Sequence, residues 1–187
     1  MQERDMRILK FISDVRVCTN DDIQQVFFKG LNMNVCYRRL NHLIDCKLIK
    51  RAYYNVDKNK NIYVYYLDRK PSVRTLKHDL LITKFLVNLY SLGYEVLEFE
   101  KSPVISNIIP DAIIKFKVNG KVKHIFLEVQ MSPHDCVSKY FNIKSKMKNV
   151  PSTLYIVTNQ EIKYTKLRDL KVVIDDLNFK KVKFYFS

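Results

Sequence analysis

The dipeptide Asn119-Gly120, set between Ile113-Ile114-Lys115-Phe116-Lys117-Val118 and Lys121 to Gln130, constrains the fold of this chain more than any other feature. Asn-Gly between two β-rich runs marks a two-residue hairpin, because both central positions of a type I′ turn need positive φ. Such a turn sets Val118 against Lys121, and counting outward puts Asp111 opposite Glu128. The two-residue period of a strand then sorts the side chains. Ala112, Ile114, Phe116, Val118, Ile125, Leu127 and Val129 take one face, a core. Asp111, Lys115, Lys117, His124, Glu128 and Gln130 take the other, with Ile113 and Phe126. Facing carboxylates repel one another. A cation or a donor between them is therefore expected, which makes Asp111 and Glu128 a candidate divalent-metal pair.

The composition is globular, 47% apolar and 28% charged over 187 residues, but the net charge is +14. The excess is spread along the chain: residues 1–70 carry 14 basic against 8 acidic residues, and 71–187 carry 19 against 11. This balance favours a polyanionic partner over an acidic protein or a small substrate. The alternative is a merely lysine-rich, well-solvated surface. Cys18, Cys36, Cys46 and Cys136 have no C-x-x-C spacing and read as small buried apolar residues of a reducing compartment. No apolar run approaches the length of a membrane span, and the charged start Met1-Gln2-Glu3-Arg4-Asp5 lacks a signal-peptide core, so a cytoplasmic protein is expected.

Helical spacing over 4–16 (Met6, Ile8, Leu9, Ile12, Val15), a polar cap Thr19-Asn20-Asp21-Asp22 ahead of Ile23, Val26 and Phe27, and a stripe Cys36, Leu40, Leu43, Ile44 over 34–46 predict three helices. Residues 48–54 and 62–67 predict a hairpin around the polar loop 57–61. From Cys36-Tyr37-Arg38-Arg39-Leu40 through Leu43 to Arg51, the chain resembles the recognition helix and wing of bacterial winged-helix DNA-binding proteins. That resemblance implies a third helix in the major groove, with Asn34 and Arg38, and Tyr37 or Asn41, at base edges, Arg39 also among the DNA-binding residues, and Lys50, Arg51, Lys58 and Lys60 on phosphates. The alternative is a domain that docks proteins.

Asp68 to Ser72 reads as a short boundary, giving domains 1–70 and 71–187. The second is expected to run helix 73–91, strand 94–99, the hairpin, helix 135–148 with Lys139, Lys144, Lys146 and Lys148, strand 154–157, helix 160–170 and strand 182–186. With Pro110-Asp111 opening one strand and Glu128-Val129-Gln130 ending the next, this order resembles the PD-(D/E)XK nuclease superfamily. The expected fold class is therefore α/β (α+β), a winged helix-turn-helix followed by a restriction-endonuclease-like domain. The resemblance implies Mg²⁺, with Mn²⁺ as a substitute, on Asp111 and Glu128, with the Val129 carbonyl as a third ligand. The family's lysine position is Gln130, a neutral amide that cannot supply positive charge. Lys139 or Lys144 would have to supply it, and His78 stands where a helical Glu is often found.

His78-Asp79-Leu80-Leu81-Ile82 with Pro110-Asp111 and Glu128-Val129-Gln130-Met131-Ser132 is similar to plasmid replication-relaxation proteins and to competence-associated nuclease-like proteins. The resemblance implies a DNA-binding accessory protein of a plasmid or mobile element acting at an origin. Its partners would be double-stranded DNA and plasmid replication or relaxase proteins, with no membrane and with a homodimer as the assembly. Two alternatives stay open: a Mg²⁺-dependent, sequence-directed endonuclease, and a transcriptional repressor whose second domain only dimerises. At single residues, Asp111 could serve only to start a strand, Glu128 could pair with Lys115 or Lys117, and His78 could be an ordinary helix histidine.

Overall fold

The computed structural model describes residues 2–186 except 58, 59, 134, 144–146, 148 and 165, with the backbone alone at 56, 57 and 60. The fold is mixed α+β with two sheets, and the chain divides into two compact units, Met1–Val87 and Asn88–Ser187.

In the first unit, α1 (Glu3–Val15), α2 (Asn20–Phe27) and α3 (Met33–Asp45) precede the hairpin β2 (Lys50–Asp57) and β3 (Lys60–Tyr66). The two-residue strand β1 (Cys18–Thr19) pairs with β3 to complete a three-stranded sheet. Each helix begins where the sequence supplies a cap. Thr19 accepts from the Asp22 amide while the Asp22 carboxylate accepts from the Thr19 amide at 2.7 Å, a capping box. Asn32 caps α3 by accepting from the Asn34 amide at 2.9 Å. The buried stripes are Ile8, Phe11, Ile12 and Val15 on α1 and Cys36, Leu40 and Leu43 on α3. Met6, expected in the first stripe, is exposed, and Phe11 takes its place in the core.

Helix α4 (Val73–Ser91) follows. Leu76 and Leu80 bury against Val17, Ala52, Tyr54, Val64 and Tyr66, so the first half of α4 closes one face of the first sheet. The division between compact units falls inside α4. Gly93 ends α4 with φ +79°, a left-handed cap whose amide reaches the Tyr90 carbonyl at 3.0 Å.

The second unit is a five-stranded sheet in the order β4 (Glu95–Lys101), β5 (Ala112–Val118), β6 (Lys121–Gln130), β7 (Thr153–Thr158), β8 (Lys171–Asp175). Strands β4, β5 and β6 run antiparallel, and β6, β7 and β8 run parallel. The β5–β6 hairpin has the expected register, Val118 against Lys121 and Ala112 against Leu127. Asn119 and Gly120 hold φ of +49° and +75°, as a type I′ turn requires.

Three expectations for this unit are corrected. Residues 135–143 hold the 3₁₀ turn Ser138–Tyr140 and no α-helix, where the first part of an α-helix was expected. The described residues of 160–170 form no helix, and the strand is β8, just beyond them. Val182–Phe186 is a helix, α5, not a strand. Its burial shows why: Val182 and Phe186, four apart, are buried, while Phe184 is 84% exposed. A strand would have buried all three. The Phe186 ring meets Phe116 edge-on at 4.9 Å and stacks with Tyr155 at 5.6 Å, covering one face of the sheet. Among the described residues no helix is long and apolar enough to cross a membrane.

Candidate functional site

Two groups of side chains stand out, one in each unit. In the first unit, α3 packs with Cys36, Leu40 and Leu43 inward, which leaves Asn34, Tyr37, Arg38 and Asn41 exposed along the opposite side. These positions follow at three- and four-residue steps, so they share one face. Arg39 turns away from that face. Its guanidinium grips the Asp5 carboxylate with Nε and Nη2, and Asp5 is only 1% exposed. Arg39 therefore ties α3 to α1, and its hydrogen bonds to the carboxylate hold the Asp5 carboxyl below the usual carboxylate range.

The hairpin carries its own basic groups. Lys50 donates to the Asp68 carbonyl at 3.1 Å. Arg51 reaches Asn41 on α3 at 3.4 Å and lies 4.8 Å from the centre of the Tyr63 ring, so it links helix and hairpin. Lys58 and the side chain of Lys60 lie outside the described residues. The outward positions of the hairpin also hold Tyr53 and Tyr63, a pair not singled out in the sequence. Their signal was legible as phase: Tyr53 and Tyr63 alternate with the inward Ala52, Tyr54 and Val64.

In the second unit the ladder of β5 and β6 carries Asp111 and Glu128 to the same end. Asp111 sits one residue before β5; its carbonyl accepts from the Ser102 amide at 2.9 Å and its Oδ2 from the Val129 amide at 2.7 Å. Glu128 is next to Val129, and the Asp111 charge acts on it directly. The face holding Glu128 is not solvated. Residues 125–130 are all buried, and Phe126 on the same face as Glu128 packs with Ile108, Cys136, Val137, Tyr140, Ile143, Leu154, Ile156, Leu167 and Leu170. A strand inside a sheet that is covered on both sides loses the apolar-polar alternation.

Glu128 is thus a carboxyl enclosed by a second core. Lys139 Nζ lies 2.8 Å from its Oε1, and the Tyr140 hydroxyl donates to the same oxygen. Lys139 also donates to the Ile109 carbonyl at 3.0 Å. The pairing with Lys115 is replaced: Lys115 holds Glu98 at 2.9 Å. Burial, then the Asp111 charge, push the Glu128 carboxyl up to about 7, against the opposing pull of Lys139 and Tyr140.

Lys139 supplies positive charge beside Glu128, one of the two lysines expected to do so. Lys144, the other, lies outside the described residues. Gln130 is buried and its amide donates to the Ser132 carbonyl at 3.0 Å, holding the loop after β6. His78 is half-buried on the part of α4 that belongs to the first unit.

As a cation site, Asp111 and Glu128 offer hard oxygen donors that suit Mg²⁺ better than zinc. Among the described residues no three His, Cys, Asp or Glu side chains gather. Glu128 Oε1 already faces an ammonium and a phenol. No protein-family model, no curated protein and no solved structure matches this chain.

Proposed function

We propose that the protein binds double-stranded DNA through α3 and the β2–β3 hairpin, as an accessory protein acting at the origin of a plasmid or other mobile element. The observation that carries the DNA-binding reading is the division of α3 into an inward side that holds Arg39 on Asp5 and an outward side that leaves Asn34, Tyr37, Arg38 and Asn41 open. Three helices followed by an antiparallel hairpin are the parts of a winged helix, and the basic charge of both halves supports a polyanionic partner. On this reading Arg38 and Asn34 meet base edges in the major groove, and Lys50 lies near the backbone. The role at an origin rests on the family resemblance of the motifs quoted above.

The test is selection of bound duplexes from random sequence, followed by binding of the enriched site. Arg38→Ala should cost about 1–3 kcal/mol at the enriched site and relax its sequence preference. No enriched sequence, or an Arg38→Ala variant with unchanged preference, overturns the reading.

A second reading, a metal-dependent endonuclease in the second unit, draws support from Asp111 and Glu128 at one end of the β5–β6 ladder with Lys139 beside Glu128. Such a site would take Mg²⁺ on Asp111 and Glu128. Nicking of supercoiled plasmid with Mn²⁺, lost in Asp111→Ala, would favour this reading; intact plasmid after prolonged incubation would remove it.

A further inference from the structure

We propose that the outward face of the β2–β3 hairpin is a stacking platform for the unpaired bases of single-stranded DNA. The inference deepens the DNA-binding reading and shares its basic surroundings, but it rests on different residues. Tyr53 and Tyr63 stand opposite one another across the ladder, with ring centres 5.1 Å apart and planes at 53°. They are 55% and 49% exposed. A cross-strand aromatic pair helps hold a hairpin together. That role does not need both rings open to water, and a paired apolar surface of this kind marks a contact site.

The neighbours orient the pair. Arg51 backs the Tyr63 ring at 4.8 Å while donating to Asn41. Tyr63 thus has a guanidinium and a second ring as neighbours, and both tyrosines stay about half exposed. Tyr37 on α3 is a further exposed ring of the same unit, at 42%. Rings held this way lose little freedom when a ligand stacks on them.

Charge selects the ligand. Apart from Arg39, which Asp5 neutralises, the chain from Asn34 to Asn55 carries Arg38, Lys47, Lys50 and Arg51 against Asp45 alone. Aromatic faces beside cations are the pattern that holds single strands, because every base has a π face and every linkage a negative charge. Bases inside a duplex present no free face to the platform. A duplex with an unpaired tail can therefore engage α3 with its paired part and the hairpin with its tail, and it should bind more tightly than either alone.

The experiment measures fluorescence anisotropy of the full chain with an oligothymidylate strand, a duplex of the enriched site, and that duplex carrying an oligothymidylate tail. Tyr53→Ala combined with Tyr63→Ala should lower single-strand affinity by roughly 5- to 100-fold and abolish the advantage of the tail. The Tyr53→Phe, Tyr63→Phe pair should keep both, and duplex affinity should stay within about twofold in either variant, since phosphate and base-edge contacts remain. In a second measurement that needs no variant, a 5-iododeoxyuridine strand cross-linked to the natural chain should attach at Tyr53 or Tyr63. Unchanged single-strand affinity in the double alanine variant, or cross-links confined to other tyrosines, overturns the platform. If Arg38-dependent duplex binding persists in that case, only the platform fails. Tyrosine-dependent single-strand binding with no duplex preference supports the platform and removes the duplex reading, and binding of neither DNA removes both.

Discussion

Replacing Glu128 by Gln tests the enclosed acidic site most directly. In the folded protein the carboxyl titrates at about 7, raised by burial and by Asp111, whereas in the unfolded chain a glutamate titrates at about 4.3. The folded state therefore holds this proton more tightly than the unfolded state does. Stability from it is complete below pH ~4 and is lost as pH rises through about 7. At 1.36 kcal/mol per unit, ionised Glu128 costs the second unit about 3 kcal/mol at pH 8 relative to pH 4. Glutamine keeps an oxygen for the Tyr140 hydroxyl but carries no charge at any pH. The variant should be nearly isoenergetic with the natural protein at pH 4 and about 3 kcal/mol more stable at pH 8. Urea unfolding at several pH values, read from the β6 amide signals so that the second unit is followed by itself, measures the difference. Parallel stability curves for the two proteins across this range would refute the argument, as would a Glu128 carboxyl carbon resonance that titrates near its ordinary value.

Four further outcomes follow from the same structure. Tyr140→Phe removes the hydroxyl that donates to Glu128 and should push that titration higher still, read from the same carbon resonance. Arg39→Ala should destabilise the first unit by about 1–3 kcal/mol, because it leaves the buried Asp5 without its guanidinium, whereas Arg38→Ala should leave the melting temperature unchanged. The loss in Arg39→Ala should shrink at pH 3, where Asp5 released from Arg39 takes up a proton. Gly120→Ala places a Cβ at φ +75° and should cost about 1–2 kcal/mol in the β5–β6 hairpin, by thermal unfolding. In the native protein an aromatic disulfide reagent at pH 8 should modify Cys46 first, since it is exposed, while burial pushes the Cys36 thiol up to about 12 and Cys136 up to about 11. Release of several equivalents at once would contradict the buried placement of Cys18, Cys36 and Cys136.

Much of the fold was written in local chemistry. Capping residues, stop glycines and helical spacing placed α1 to α4 within a residue or two, because each depends on groups close in the chain. Asn119-Gly120 determined its turn, and with it the register that brings Asp111 to Glu128 and Val129, since a two-residue loop leaves no freedom in counting. The segments that were misread are those whose structure is set by distant partners. Val182 to Phe186 alternates like a strand, yet it becomes a helix that buries Val182 and Phe186, four apart, with the Phe186 ring on Phe116 and Tyr155 of the sheet. Leu167 and Leu170 show helical spacing, yet they enter the core from an irregular segment that leads into β8.

The same division holds at the functional groups. The sequence alone paired two carboxylates across a hairpin and lined Asn34, Arg38 and Asn41 along one helix face, for both follow from fixed backbone periods. It could not determine what covers them. Lys139 and Tyr140, eleven and twelve residues beyond Glu128, reach its carboxylate only because 136–143 folds back over β6. Asp5 captures Arg39 from thirty-four residues away. Burial is a property of three-dimensional packing, and it was burial that turned an expected open acidic face into an enclosed Glu128 with an ammonium at its side.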